Sequence, residues 1–169
     1  ARRHGHWLRA SHDAILAGTR TVLQDDPVLS CRLPGLESRS PVHVILDRLG
    51  RVPASARVFQ ESPQPTWVFT TVERPGLPSF VRQFLMPEGA QGFNLEKVLQ
   101  VLAAEGITRV LSEGGGQLNS SLFKEHLVNR SFCYLAGKWL GSDARPALGA
   151  MELTALPASW RLAHQQSLG

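Results

Sequence analysis

Short β-branched apolar runs alternate with helix-periodic segments along most of the chain, and this alternation restricts the fold more than any other feature. Ala14–Ala17 closes on Gly18 and Val42–Leu46 on Asp47 and Arg48; with Thr66–Thr71, each is predicted to be a buried strand, and Arg109–Ser112, closing on Glu113, is predicted to be a further strand. Arg2–Ala10, Thr19–Gln24, Leu95–Ala104 and Gln117–Glu125 carry helical spacing, the third with Leu95, Val98, Leu99 and Leu102 on one face and Gly106 as its stop. Thr19 is the expected N-cap of the second helix, Asp25-Asp26-Pro27 its end, and Phe132–Ala136 a further strand. Parallel strands need long crossovers, usually helical, so the expected fold is α/β: a largely parallel sheet covered by helices on both faces.

Nothing in the composition divides this unit. The 169 residues are 43% hydrophobic, enough for one core, and no apolar run exceeds a few residues, so no membrane span is predicted. The excess of 18 Lys+Arg over 14 Asp+Glu is scattered singly or in pairs, which suits an anionic small molecule as well as a nucleic acid. Cys31 and Cys133 are expected to be reduced packing residues in a cytoplasmic protein. His4, His6 and His12 lack the His-Glu-x-x-His arrangement, and no Gly-x-Ser-x-Gly elbow occurs, so neither a metal site nor a serine hydrolase is expected.

Ligands of open parallel sheets collect at the carboxyl ends of the strands, which fall here at Gly18, Asp47, Thr71 and Glu113. Gly114-Gly115-Gly116 joins a strand to a helix; positive φ at the glycines and free amides at the helix start would favour a phosphate. The alternative is a tight turn without a ligand. A Rossmann site would need a different glycine spacing and an acid about 20 residues on, and a P-loop would need Gly-Lys-Ser/Thr; both are absent. Arg48 and Arg51 could receive a 2′-phosphate, favouring NADP over NAD, or could be solvated surface charges. Asp26 before Pro27 reads as a turn cap, and Arg9, Arg20 and Arg32 could hold a phosphorylated substrate.

Asp13–Gly18, Thr21–Leu29 with Arg32, Val44–Arg48, Ser112–Gly116 and Gly137–Arg145 together, in that order, resemble the C-terminal reductase domain of the bacterial riboflavin biosynthesis protein RibD. The resemblance implies a dihydrofolate-reductase-like, mixed but mostly parallel sheet, and NADPH-dependent reduction of 5-amino-6-(5-phosphoribosylamino)uracil at the sugar C1′. It places Thr21, Asp25 and the stretch Gly115, Gly116, Gln117, Leu118, Asn119, Ser120 and Ser121 on cofactor-contacting positions, with Arg48 as an added phosphate contact. Arg9, Leu29, Arg32 and Glu113 fall on substrate-contacting positions, Glu113 being also the candidate catalytic acid, and its alternative a carboxylate that only hydrogen-bonds the substrate.

The family's opening strand motif has no counterpart before Trp7, and its last strand none before Gly169. Residues 1–169 are therefore expected to be a fragment of one reductase domain lacking its first and last strands. No zinc deaminase signature occurs, and the deaminase domain often fused to this reductase would lie ahead of residue 1. A homodimer is the family expectation. Two alternatives stay open: a related reductase with another heterocyclic substrate, and a degenerate domain that binds without catalysing.

Overall fold

Along β1 (Ala14–Gly18) successive side chains leave opposite faces of the sheet, so Ile15 and Ala17 enter one core while Ala14 and Leu16 enter another. The division continues through β2 (Val42–Leu46), with Ile45 opposite Val44 and Leu46, and through β3 (Thr66–Thr70), with Val68 opposite Phe69. Burial on both faces is what makes these runs continuously apolar. In this computed structural model they join β4 (Val81–Leu85) and β5 (Val110–Ser112) in the order β4-β3-β2-β1-β5, and every pairing among them is parallel. The structure describes residues 1–60, 64–87, 92–138, 144, 146–149 and 161–167. The antiparallel component of a mixed sheet is not found among the described strands.

Helices cover both faces, as the alternation predicts. Val22 of α2 (Thr19–Asp25) and Val58 and Phe59 of α3 (Arg57–Gln60) fill the first core; α4 (Leu95–Ala104) and α5 (Gly116–Lys124) fill the second through Leu95, Val98, Leu102 and Leu122. The α4 boundaries follow from local chemistry: the Asn94 side chain accepts from Lys97 N at 2.8 Å, and Gly106 takes φ +87° just past the end. The N-terminal α1 (Arg2–Ala10) buries Leu8 alone.

Several expectations are corrected. Gly18, not Thr19, is the α2 N-cap, because the Thr19 hydroxyl donates across to Leu46 O and Asp47 Oδ1, both at 2.9 Å. Residues 132–136 form no strand; the run is exposed, Leu135 at 92%, and Cys133 is exposed with it, whereas Cys31 is buried. Strand β4 and the single turn α3 have no clear signal in the sequence. At the sheet edge β4 keeps Arg82 and Gln83 exposed, and Arg82 lies over Trp67 and Phe84, so it never becomes an apolar run. Of the Gly137–Arg145 motif, residues 139–143 and 145 lie outside the described residues.

Candidate functional site

From β1 the chain builds outward through β2, β3 and β4, then returns to place β5 on the other side of β1. The crevice at the carboxyl ends of β1 and β5 is therefore the topological switch point, where open parallel sheets bind ligands. Glu113 leaves β5 there, its N–H still donating to Leu16 O at 3.0 Å. Arg9, from α1, donates through Nε and Nη2 to the two Glu113 carboxylate oxygens at 2.9 and 2.6 Å, and through Nη1 to Ser30 O at 3.0 Å. This two-pronged pairing fixes both side chains, which are 16% and 30% exposed.

Beside the pair, Arg32 N donates to His6 Nδ1 at 3.2 Å. Burial, then the Arg9 and Arg32 cations, lower the His6 pKa and favour the neutral ring. Arg9, Arg32, His6, Ser112, Glu113 and Asn119 line one cavity of about 1130 Å³. Tyr134 also lines it, and its pKa is raised by burial and by the Glu113 charge. Sequence reasoning did not assign Tyr134 or His6 to this site, because no spacing relates them to Glu113, and it read Ser112 only as the strand residue leading into the glycine turn. Arg20 is exposed on α2 and does not line the cavity. Leu29 does not line it either: the residue is 3% exposed inside the first core, and its backbone holds φ +61°.

The glycine turn is built differently from the expectation. None of Gly114, Gly115 and Gly116 has positive φ. A Cβ on Gly114 would stand 2.6 Å from Leu118 Cδ2, and one on Gly116 only 2.8 Å from Pro146 O, so these two are glycines because the chain packs on itself. Gly149 N closes that contact by donating to Gly116 O at 3.0 Å and to Ser120 Oγ at 2.7 Å. At Gly115 a Cβ would meet only Thr21 Oγ1 at 3.6 Å, and the Gly115 N–H donates to that hydroxyl at 3.1 Å.

Several expected cofactor side chains face inward. Leu118 packs against the second core, and the Asn119 side chain accepts from Ser112 Oγ and donates to Gly114 O, both at 3.0 Å. Ser120 is buried, and Ser121 Oγ donates to Gln117 O at 3.2 Å. Gln117 is exposed, and Gly115, the N-cap, gives α5 no capping side chain, so the turn offers a ligand backbone amides. Thr21 and Asp25 stand one turn apart on α2, Asp25 exposed. Arg48 is half-buried and Arg51 exposed in the turn after β2, on the carboxyl edge of the sheet, where Gly18 pairs with Leu46.

The parallel sheet superposes on RibD reductase structures, and the chain therefore has their dihydrofolate-reductase-like fold, with the acid–arginine pair and the glycine turn at its switch point. The chain belongs to the RibD C-terminal domain family, whose family model matches residues 1–169. The riboflavin biosynthesis protein RibD of Chlamydia pneumoniae is 40% identical over 152 residues, covering 85% of this chain and 40% of that protein. RibD of Acinetobacter baumannii (form 2) superposes with a TM-score of 0.77 at 31% identity, covering 89% of this chain and 42% of that one. A diaminohydroxyphosphoribosylaminopyrimidine deaminase/5-amino-6-(5-phosphoribosylamino)uracil reductase of Thermotoga maritima matches with a TM-score of 0.64 at 37% identity, covering 73% and 34%. This chain thus spans about two fifths of the length of the curated relatives it matches.

Proposed function

We propose that the chain is the reductase part of a riboflavin biosynthesis enzyme, using NADPH to reduce the ribose of 5-amino-6-(5-phosphoribosylamino)uracil to the ribityl chain. One observation carries this reading: Glu113 and Arg9 meet at the switch point in a cavity that Arg32 and His6 also line. Such a cavity matches a substrate with a polar heterocycle, a sugar and an anionic phosphate. Family membership supports it, as does the reductase activity named for the Thermotoga maritima relative.

The donor set fits a nicotinamide coenzyme. The uncapped start of α5 suits a diphosphate, and the arginines after β2 suit a 2′-phosphate. When bound, NADPH supplies a hydride. In this reading the amides at Gly116, Gln117 and Leu118 hold the diphosphate, with Gly115 fixed in the turn by its bond to Thr21, Asn119, Ser120 and Ser121 shaping the helix behind them and Thr21 and Asp25 beside them. Arg48 reads the 2′-phosphate. Arg32 and Arg9 take the substrate phosphate and sugar, Leu29 supports the substrate side from within the first core, and Glu113 accepts hydrogen bonds from the substrate. For Glu113 to deliver a proton it would have to part from Arg9, so the geometry favours the acceptor role. The chain's work is alignment and exclusion of water.

The same reading carries a cytoplasmic location, a homodimer, and a small-molecule rather than nucleic-acid partner. Among the described residues no helix is long and apolar enough to cross a membrane. The test uses the full-length protein with the phosphorylated pyrimidine and NADPH, following absorbance at the reduced-nicotinamide band. Substrate-dependent loss of absorbance is expected; its absence, with coenzyme bound, overturns the assignment in favour of a binding-only domain.

A further inference from the structure

Asp47 is completely buried, yet it ends β2 with a carboxylate engaged on every side. Its oxygens accept from Thr19 Oγ1 at 2.9 Å, Arg51 N at 3.0 Å, Val52 N at 2.9 Å and Arg74 Nη1 at 3.0 Å. Arg74, 12% exposed, also donates to Val52 O and lies 6.0 Å from the Phe59 ring centroid. The chain between, Arg48 to Arg51, is a tight turn: Gly50 N donates to Asp47 O at 3.0 Å, and Gly50 holds φ +65°. A Cβ on Gly50 would stand 3.0 Å from Val72 Cγ2 and 3.2 Å from Arg74 Cδ, so the turn lies against the β3–β4 connection. From that connection Thr71 donates to Arg48 O through its N–H at 3.0 Å and its hydroxyl at 2.8 Å.

A buried ion pair is weak as a stability device, since desolvation offsets most of its Coulomb gain. What it does well is impose one geometry. Here the geometry connects two separate parts of the site through α2. Thr19 ties the start of α2 to Asp47 and the arginine turn, while Thr21, half a turn later, ties it to Gly115 and the glycine turn. The two turns are thus held in fixed relation, as a ligand with phosphates at two separated points requires.

We infer that Asp47 and Arg74 are positioning residues that hold the Arg48–Arg51 turn so that it distinguishes a 2′-phosphorylated adenosine from the unphosphorylated one. The inference rests on the proposed use of a nicotinamide coenzyme, and it adds the origin of selectivity for the phosphorylated form. Neither Asp47 nor Arg74 need touch the ligand. They set where the arginines stand.

The test is calorimetry on the full-length protein with adenosine 2′,5′-bisphosphate and adenosine 5′-monophosphate. Wild type should prefer the bisphosphate; Arg74→Leu should reduce that preference by about tenfold, the worth of one misplaced charge-assisted contact, as should Arg48→Ala. Thr71→Val, which removes only a hydroxyl, serves if Arg74→Leu does not fold, and should reduce the preference in the same direction. In steady state each variant should raise KM for NADPH more than KM for NADH, a selective change that general loosening of the fold would not produce. A wild-type protein without preference overturns the NADPH reading and this inference together. A wild-type preference that survives in folded Arg74→Leu, or in Thr71→Val where the former is unfolded, overturns this inference alone.

Discussion

Arg9 and Glu113, 104 residues apart in sequence, meet through two hydrogen bonds of 2.9 and 2.6 Å, and this pair joins α1 to the carboxyl end of β5. Cutting either partner strands the other in a partly buried site, so Arg9→Met and Glu113→Gln should each lose roughly 1–3 kcal/mol in urea denaturation. The double variant should lose less than the sum, by about 1 kcal/mol of coupling. Strict additivity would show that the pair contributes nothing to holding α1.

Arg32 lines the same cavity but is exposed and makes its hydrogen bond to His6 through its backbone, leaving the guanidinium's role to a ligand test. Arg32→Ala should raise KM for the phosphorylated pyrimidine about tenfold with a smaller change in kcat. The dephosphorylated substrate should be handled alike by wild type and variant. Equal KM values for the phosphorylated substrate would place the phosphate elsewhere.

The three consecutive glycines should respond unequally to alanine. Gly116→Ala forces a Cβ to 2.8 Å from the Pro146 carbonyl, a backbone atom that cannot step aside, and should cost about 1–3 kcal/mol. Gly114→Ala meets Leu118, whose Cδ2 at 2.6 Å can turn away while its Cβ at 3.0 Å is held by α5, and should cost less than Gly116→Ala but more than Gly115→Ala, which at 3.6 Å from Thr21 Oγ1 should be tolerated by the fold. Thermal melts of the series test the order. A destabilised Gly115→Ala with an unaffected Gly116→Ala would contradict the packing described for the turn.

His43, fully buried on β2, has its pKa lowered from 6.5 to about 4 by burial and, secondarily, by the Arg9 cation. The unfolded chain therefore takes up a proton between pH 6.5 and 4 that the native state resists. Stability should be complete above pH 6.5 and fall through that window, by up to roughly 3 kcal/mol at its acid end. His43→Gln should flatten the slope across the same window. A slope unchanged by the substitution would assign the acid sensitivity to other groups.

The strands β1, β2, β3 and β5 and the helices α1, α2, α4 and α5 were legible because each carries its own pattern: β1, β2 and β3, buried on both faces, write that burial as a continuous apolar run, and β5, half-buried at the sheet edge, is marked by the glycine turn that follows it. The edge strand β4 was not, since Arg82 and Gln83 face outward and its stability comes from pairing with β3. Phe132–Ala136 has the apolar composition of a strand, yet composition alone does not bring a run into a ladder, and these residues stay exposed outside the sheet.

Local spacing also placed the acid and the glycine turn at a strand end, because strand, turn and helix are consecutive in the chain. What it did not contain was the tertiary pairing: Arg9 with Glu113, Thr21 with Gly115, Thr19 and Arg74 with Asp47. Those contacts bring together residues 27 to 104 positions apart. A helix or strand repeats every few residues and so leaves a pattern to read, whereas a hydrogen bond across the sheet depends on where the packed elements come to rest.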